Sequence, residues 1–329
     1  MNRLIALLCS IVLTACGGTE TGSRSLIIAT ATPGGTYYPV GVAIGTLLTE
    51  KLQGSISAAA INSAGSGENV QMLGNDEAQL AILQGLYGAM AYTGTGIYDT
   101  PVRDFRSITT LWENLEHFVV DKRHVRTGTL EDLRTLDAPF SVGKRGSGTA
   151  GSTRVIFGAL DVVSGEDFTP EYLGYSPSAQ AMMDGRIGGA SLAAGPPVAA
   201  VTQLFAQKGA DGVAILEVTD LQLERINQVY AVYTRALLPA ETYPGQTNEI
   251  RTIAQPNFLA CRADLSDDVV YQITRALYAN LTYLQDIHKA TQGMALERAI
   301  TGLAVPLHPG AARYYREQGL SIPDALIAP

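Results

Sequence analysis

The stretch ATPGGTYYPVG, residues 31–41, follows the apolar run SLIIAT, residues 25–30, and leads into a run of helical spacing. Such a corner lets another molecule come close to the backbone. Gly34 and Gly35 open space, Thr36 supplies a hydroxyl, and Tyr37 or Tyr38 can wall a pocket. Val40, Ile44, Leu47, Leu48 and Leu52 then recur at the helical period. Pro39 suits a first helical turn, where a missing N–H costs nothing. The pattern repeats downstream. SISAAAI, residues 55–61, reads as a strand; SAGSGEN, residues 63–69, opens a helix; LAILQ, residues 80–84, is a third strand, with a helix from about Gln84. A βαβαβ rhythm of this kind predicts a mainly parallel sheet with helices on both faces.

A second set follows. EHFVVDKR, PFSVGK, GGASLA, VAILEV and NQVYAVY read as strands. TLEDLRT, GTAGSTRVIFGAL, SPSAQAMMDG, PPVAAVTQLFAQKG, ALERAITGL and GAARYYREQGL read as helices. Ser266 is placed to cap a helix whose first turn carries Asp267 and Asp268 and whose stripe is Val270, Ile273, Leu277, Leu281 and Leu284. The length suggests two lobes. With no linker composition between them, strands are expected to cross from one to the other, near residues 111–120 and 250–261.

The N-terminus speaks to location. Arg3, the apolar residues 4–13 and LTAC ending at Cys16 make an export signal, too short to span a bilayer. LTAC resembles a bacterial lipobox, which implies that Cys16 becomes the lipidated first residue; the plainer reading is an ordinary cleaved signal. Residues 16–25, rich in Gly, Ser and Thr, read as a flexible tether. Cleavage would leave 314 of the 329 residues and, losing only Arg3, shift the net charge from −8 to −9. An acidic exported chain is a poor partner for nucleic acid. With Cys9 removed and Cys16 acylated, Cys261 is alone, and no internal disulfide is expected.

Three Gly-rich turns carry small hydroxyls: residues 33–38, 63–69 and 143–153 (GKRGSGTAGST). Each follows a strand and opens a helix. Ligands of open α/β sheets bind at the carboxyl ends of strands, and anions settle on the free N–H groups of a helix start. One such turn is readily a plain helix cap; three point to an anion site. Lys144 and Arg145 read either as cations for a carboxylate or as solvated charges. GSGTAG, residues 146–151, matches G-x-G-x-x-G, with Glu166 downstream at a ribose-contact distance, but nicotinamide cofactors are scarce outside the cell. No Walker motif and no G-x-S-x-G occurs, S-x-x-K at residues 141–144 lacks its companions, and the four histidines are scattered. Neither cofactor nor metal is expected. Trp112, the single tryptophan, reads as a core residue or as a reporter at a lobe boundary.

Residues 31–48, 63–73, 80–84, 142–154 and 308–319, taken in order, resemble the TAXI family of TRAP-transporter solute receptors. The resemblance implies a two-lobed, type II periplasmic-binding-protein-like fold with an interlobe cleft. It implies capture of a small organic anion or amino acid, such as glutamate or 2-oxoglutarate, and delivery to a fused membrane subunit of a TRAP transporter. No ATPase and no catalytic residue is implied. The implied lobes are residues 26–115 with 256–329, and residues 116–255. Ligand contacts would come from Gly35, Thr36, Tyr37, Ser66, Asn69, Gln84, Ser147, Gly148 and Thr149, with Arg145 assisting. The Lys144–Arg145 pair departs from the small residues usual there. An exported enzyme, or a sensor passing closure to a signalling protein, remains the alternative, separable by turnover assays and gene context.

Overall fold

The computed structural model describes residues 23–327. The signal residues, Cys16 and most of the expected tether lie outside the described residues. In chain order the first elements are β1 (Arg24–Ala29), α1 (Tyr37–Lys51), β2 (Ile56–Ile61), α2 (Ser66–Gly74), β3 (Leu80–Gln84), α3 (Gly85–Thr93) and β4 (Phe105–Leu115). Then come β5 (Phe118–Asp121), β6 (Phe140–Ser141), α4 (Gly148–Ala159), β7 (Pro170–Glu171), α5 (Tyr175–Met183), β8 (Gly189–Ser191), α6 (Ala199–Lys208), β9 (Val213–Ile215) and α7 (Asp220–Val229). The chain ends with β10 (Thr234–Leu238), β11 (Ile250–Arg262), α8 (Asp267–Ala279), α9 (Leu281–Ile287) and α10 (Pro309–Glu317).

Two sheets result. The first runs β10-β11-β3-β1-β2, with β4 on the other side of β11's ladder; the second runs β7-β6-β8-β5-β9. The βαβαβ start is parallel, with Ile28 beside Ala60 and Leu80, because each helix returns the chain to the same end of the sheet. β3 is buried along its whole length, as an apolar strand covered on both faces must be.

β4 and β11 are the long strands, and they run through both cores. They pair antiparallel from Ala254–Leu115 to Arg262–Phe105. Ile108, Trp112, Leu259 and Cys261 pack in the core of the first sheet, whereas Leu115 and Ala254 pack with Val119, Leu192 and Val201 of the second. The chain enters the second sheet at residues 116–117, where the Glu116 N–H donates to the Ile253 carbonyl.

Several local expectations change. NQVYAVY is not a strand: α7 runs to Val229, held at its start by a reciprocal cap between Thr219 and Gln222. TLEDLRT and ALERAITGL shrink to 3₁₀ turns at Leu130–Thr135 and Leu296–Arg298. Ser266 stands at the N-cap of α8 but its side chain makes no cap bond. His308 does cap, its Nδ1 accepting from the Gly310 N–H at 3.2 Å while Nε2 lies 2.9 Å from the Leu265 carbonyl.

Candidate functional site

The strand-to-helix corners of both sheets face one another across a pocket. Its wall includes Thr36, Gly65, Gln84, Ser147 and Gly174. These are the N-cap residues of α1, α2, α3, α4 and α5. Five helices therefore begin at a single place, each presenting the positive end of its dipole, with the Glu68 and Leu86 N–H groups of α2 and α3 already bonded to Gly146 and Gln255. Lys144, itself exposed, is the one charged residue in the wall among the described residues. An acidic protein thus holds a locally positive, hydroxyl-rich chamber, suited to an anion by local rather than overall charge.

The facing corners are already in contact. The Glu68 N–H donates to the Gly146 carbonyl at 3.0 Å and the Ala200 N–H to the Gly34 carbonyl at 3.2 Å. The Tyr87 hydroxyl donates to the Ser147 carbonyl at 3.0 Å, and the Thr36 hydroxyl to the Gly195 carbonyl at 2.7 Å. Glycine makes the approach possible. A Cβ at Gly67 would stand 2.5 Å from the Gly146 carbonyl oxygen, and one at Gly148 would stand 2.6 Å from Gln84 Oε1 and 2.8 Å from Ser66 Oγ. The chamber left between the corners has a free volume of only about 30 Å³.

Eight of the residues singled out from the sequence line this chamber: Gly35, Thr36, Tyr37, Ser66, Gln84, Ser147, Gly148 and Thr149. Two do not. The amide of Asn69 is fully engaged, donating to the Thr30 carbonyl at 2.8 Å and the Ile82 carbonyl at 2.9 Å, while its Oδ1 accepts from Ser63 at 2.6 Å. It ties the ends of β1 and β3 together and so positions the corners. Arg145 turns away, its guanidinium lying 3.6 Å from the centre of the Tyr172 ring in a separate groove. Lys144 takes the place in the wall expected of its neighbour. Glu166 is not in the wall either, which leaves the G-x-G-x-x-G match without its acidic partner.

The wall also contains residues the sequence did not single out: Thr32, Gly174, Tyr175, Ala193 and Ala194 among them. The Tyr175 hydroxyl lies 2.7 Å from Thr149 Oγ1 and donates to the Ala193 carbonyl. The Tyr37 hydroxyl donates to Asn257 Oδ1 at 2.6 Å. Gln84 Oε1 is buried without any hydrogen-bond partner, an acceptor facing a donor still to come.

Behind the chamber, in the link between β4 and β5, lie Glu116 and His117, both wholly buried. Neither oxygen of Glu116 has a hydrogen-bond partner. Burial pushes its carboxyl up to about 8, with nearby Ser152 and Gln255 pulling the other way. Burial pushes His117 down to about 4. Its Nδ1 lies 3.0 Å from the Leu115 carbonyl, which can only accept, so Nδ1 carries the proton and Nε2 accepts from the Tyr243 hydroxyl at 2.9 Å. Among the described residues no group of three His, Cys, Asp or Glu is placed to hold a metal ion, and no helix is long and apolar enough to cross a membrane.

A model of the NMT1-like family matches residues 28–319. Among solved structures, the chain is similar to a binding protein component of an ABC phosphonate transporter from Pseudomonas aeruginosa, at 11% identity over 82% of this chain and 80% of that one, with a TM-score of 0.53. It is similar to MatC from Rhodopseudomonas palustris with bound malate, at 14% identity over 89% and 98% of the two chains, with a TM-score of 0.54. It is likewise similar to the periplasmic binding protein BugD, at 14% identity over 90% and 93%, with a TM-score of 0.55. The fold is the two-sheet α/β arrangement of type II periplasmic binding proteins.

Proposed function

We propose, from the premise that this chain belongs to the NMT1-like family, that it is an extracytoplasmic solute-binding receptor which captures a small carboxylate or amino acid by closing two lobes on it. The observation that carries this reading is the meeting of five helix starts and one lysine at a chamber with no acidic side chain in its wall. Binding proteins need donors and closure, not a nucleophile, and donors are what the wall offers. The lobes are residues 26–115 with 256–329, and residues 116–255. The malate bound to MatC, a protein of the same fold, is a small carboxylate of the proposed kind.

The finer reading is a TAXI receptor delivering glutamate, 2-oxoglutarate or a similar solute to the fused membrane subunit of a TRAP transporter. The ordered run of Gly-rich corners and the HPGAARYYREQG segment support it. Residues 1–15 would be the signal, and Cys16 the lipid anchor on a periplasmic membrane face. Expression of a Cys16→Ser variant tests the anchor: the protein is expected to move from the membrane fraction to the soluble one. Continued sedimentation with membranes would rule out attachment through Cys16.

The unpartnered Gln84 Oε1 favours a ligand that carries a hydrogen-bond donor as well as its carboxylate, as an amino acid or a hydroxy acid does. Calorimetry with a panel of carboxylates and amino acids tests the whole reading. Lys144→Ala and Gln84→Leu are each expected to weaken binding about tenfold or more, the size of one hydrogen bond to a charged group. Arg145→Ala is expected to leave it nearly unchanged, since that side chain is stacked on Tyr172. Full affinity in the Lys144→Ala protein would move the anion site elsewhere.

A further inference from the structure

A second crevice lies between the same two halves, away from the chamber. It has a free volume of about 370 Å³. One side is formed by β4 and by the segment from Lys289 to Thr301; the other by Pro196, Pro197, Pro239 and Thr242. Its floor is apolar, with Leu111, Leu115 and Met294 around the indole of Trp112. Trp112 is only 3% exposed, yet its Nε1–H has no hydrogen-bond partner. That nitrogen has almost no accessible surface, so no guest in the crevice reaches it.

The charges at the rim are uneven. Burial pushes the Glu113 carboxyl above its ordinary range, with the Arg298 charge pulling the other way. The Arg298 guanidinium also donates to the Gly293 carbonyl. With Glu113 and Arg298 offsetting each other, Lys289 supplies the net charge of the crevice. An apolar floor and a rim with two cations, Lys289 and Arg298, against the single carboxylate of Glu113 match a specific chemistry: an acid with an apolar body, whose carboxylate reaches Lys289.

We infer that this crevice is a second ligand site, for a small amphiphilic carboxylate, and that its occupancy biases the hinge. Three features carry the coupling. The crevice touches both halves of the molecule, so its width changes when they move. Its wall includes β4, one of the two strands that run through both cores. Finally, the Trp112 ring meets the Tyr37 ring edge-on, with centroids 5.8 Å apart, and Tyr37 is part of the chamber wall. A ligand that differs in affinity between the open and closed forms shifts their balance by that difference. The site does not depend on what the chamber binds.

Trp112 is the single tryptophan, so its emission reports on the crevice directly. The purified full chain is titrated with phenylacetate and, in parallel, with neutral phenylacetamide. Phenylacetate is expected to give a saturable change in emission. The amide should bind about tenfold more weakly, having lost the charge-assisted contact, and the exposed Lys289→Ala variant should weaken phenylacetate to a similar degree. A Gln84→Leu protein, altered in the chamber wall but free to close, should bind phenylacetate as the parent does. No saturable change overturns the site. Equal responses to acid and amide overturn its assignment to carboxylates. Weaker phenylacetate binding in the Gln84→Leu protein places the ligand in the chamber and overturns the second site while leaving the receptor reading intact.

Discussion

The Glu116→Gln variant is expected to be more stable than the parent chain by on the order of 4 kcal/mol above about pH 8, and no more stable near pH 4. The reason is the unpaired burial of that carboxyl. In the unfolded chain it ionises near the ordinary value of 4.5; in the folded protein it holds its proton up to about 8. The folded state therefore binds the extra proton throughout this window. Its advantage is complete below the unfolded value and is lost as pH rises through the folded one. Glutamine keeps the shape of the protonated acid and has nothing to lose.

His117 imposes the opposite slope over a lower range. Its ring is held neutral down to about 4 from an ordinary 6.5, so the unfolded chain takes up the extra proton between those values and stability falls as pH drops. Between about pH 4.5 and 6.5 the two neighbours cancel. The parent chain should accordingly show a plateau there and a decline from about pH 6.5 to 8, whereas Glu116→Gln should rise up to about pH 6.5 and then stay level. Denaturant midpoints measured across this range, with unchanged slope in denaturant, check the prediction. Parallel pH profiles for the two proteins would show that Glu116 is hydrated or paired in solution.

The Gly67→Val variant is expected to lose ligand affinity by more than about 100-fold while each half of the molecule stays folded. Gly67 sits in the first turn of α2, facing the turn before α4. A Cβ there would lie 2.5 Å from a carbonyl oxygen of the opposite half, and backbone cannot swing aside as a side chain does. Valine would hold the corners apart and break the bond from the Glu68 N–H to the Gly146 carbonyl. An open chamber leaves the ligand with donors from one lobe only, and each hydrogen bond to a charged group is worth about 1.5–3 kcal/mol. Calorimetry on the variant, with circular dichroism to confirm the fold, gives the answer. Parental affinity would mean that binding does not require these corners to meet.

The corners were legible because glycine, hydroxyl residues and a switch from strand to helix period coincide at residues 31–41, 63–69 and 143–153. The corner before α5 was not. β7 is only the pair Pro170–Glu171, so no apolar run announces a strand, and Gly174 and Tyr175 fall just outside the helix read from SPSAQAMMDG. Ala193 and Ala194 carry no side-chain chemistry to notice. Asn69 looked like a ligand donor because a buried amide and a binding amide are the same residue; only the position of β1 and β3 shows that its bonds are spent. The choice between Lys144 and Arg145 is decided by Gly143 and Gly146, whose φ of 99° and 76° turn the loop. At the end of α7 the apolar and aromatic residues 229–233 read as a strand, whereas the cap formed by Thr219 and Gln222 marks only where the helix starts.

The tightness of the closed chamber has a kinetic consequence. The corners already touch across the chamber, so a bound solute leaves chiefly when the two halves separate. Residence time is then set by how often the protein opens, not by how strongly each solute is gripped once it has. Solutes that differ widely in on-rate should depart at rates converging on one ceiling, and any partner that pries the halves apart would act as a release catalyst.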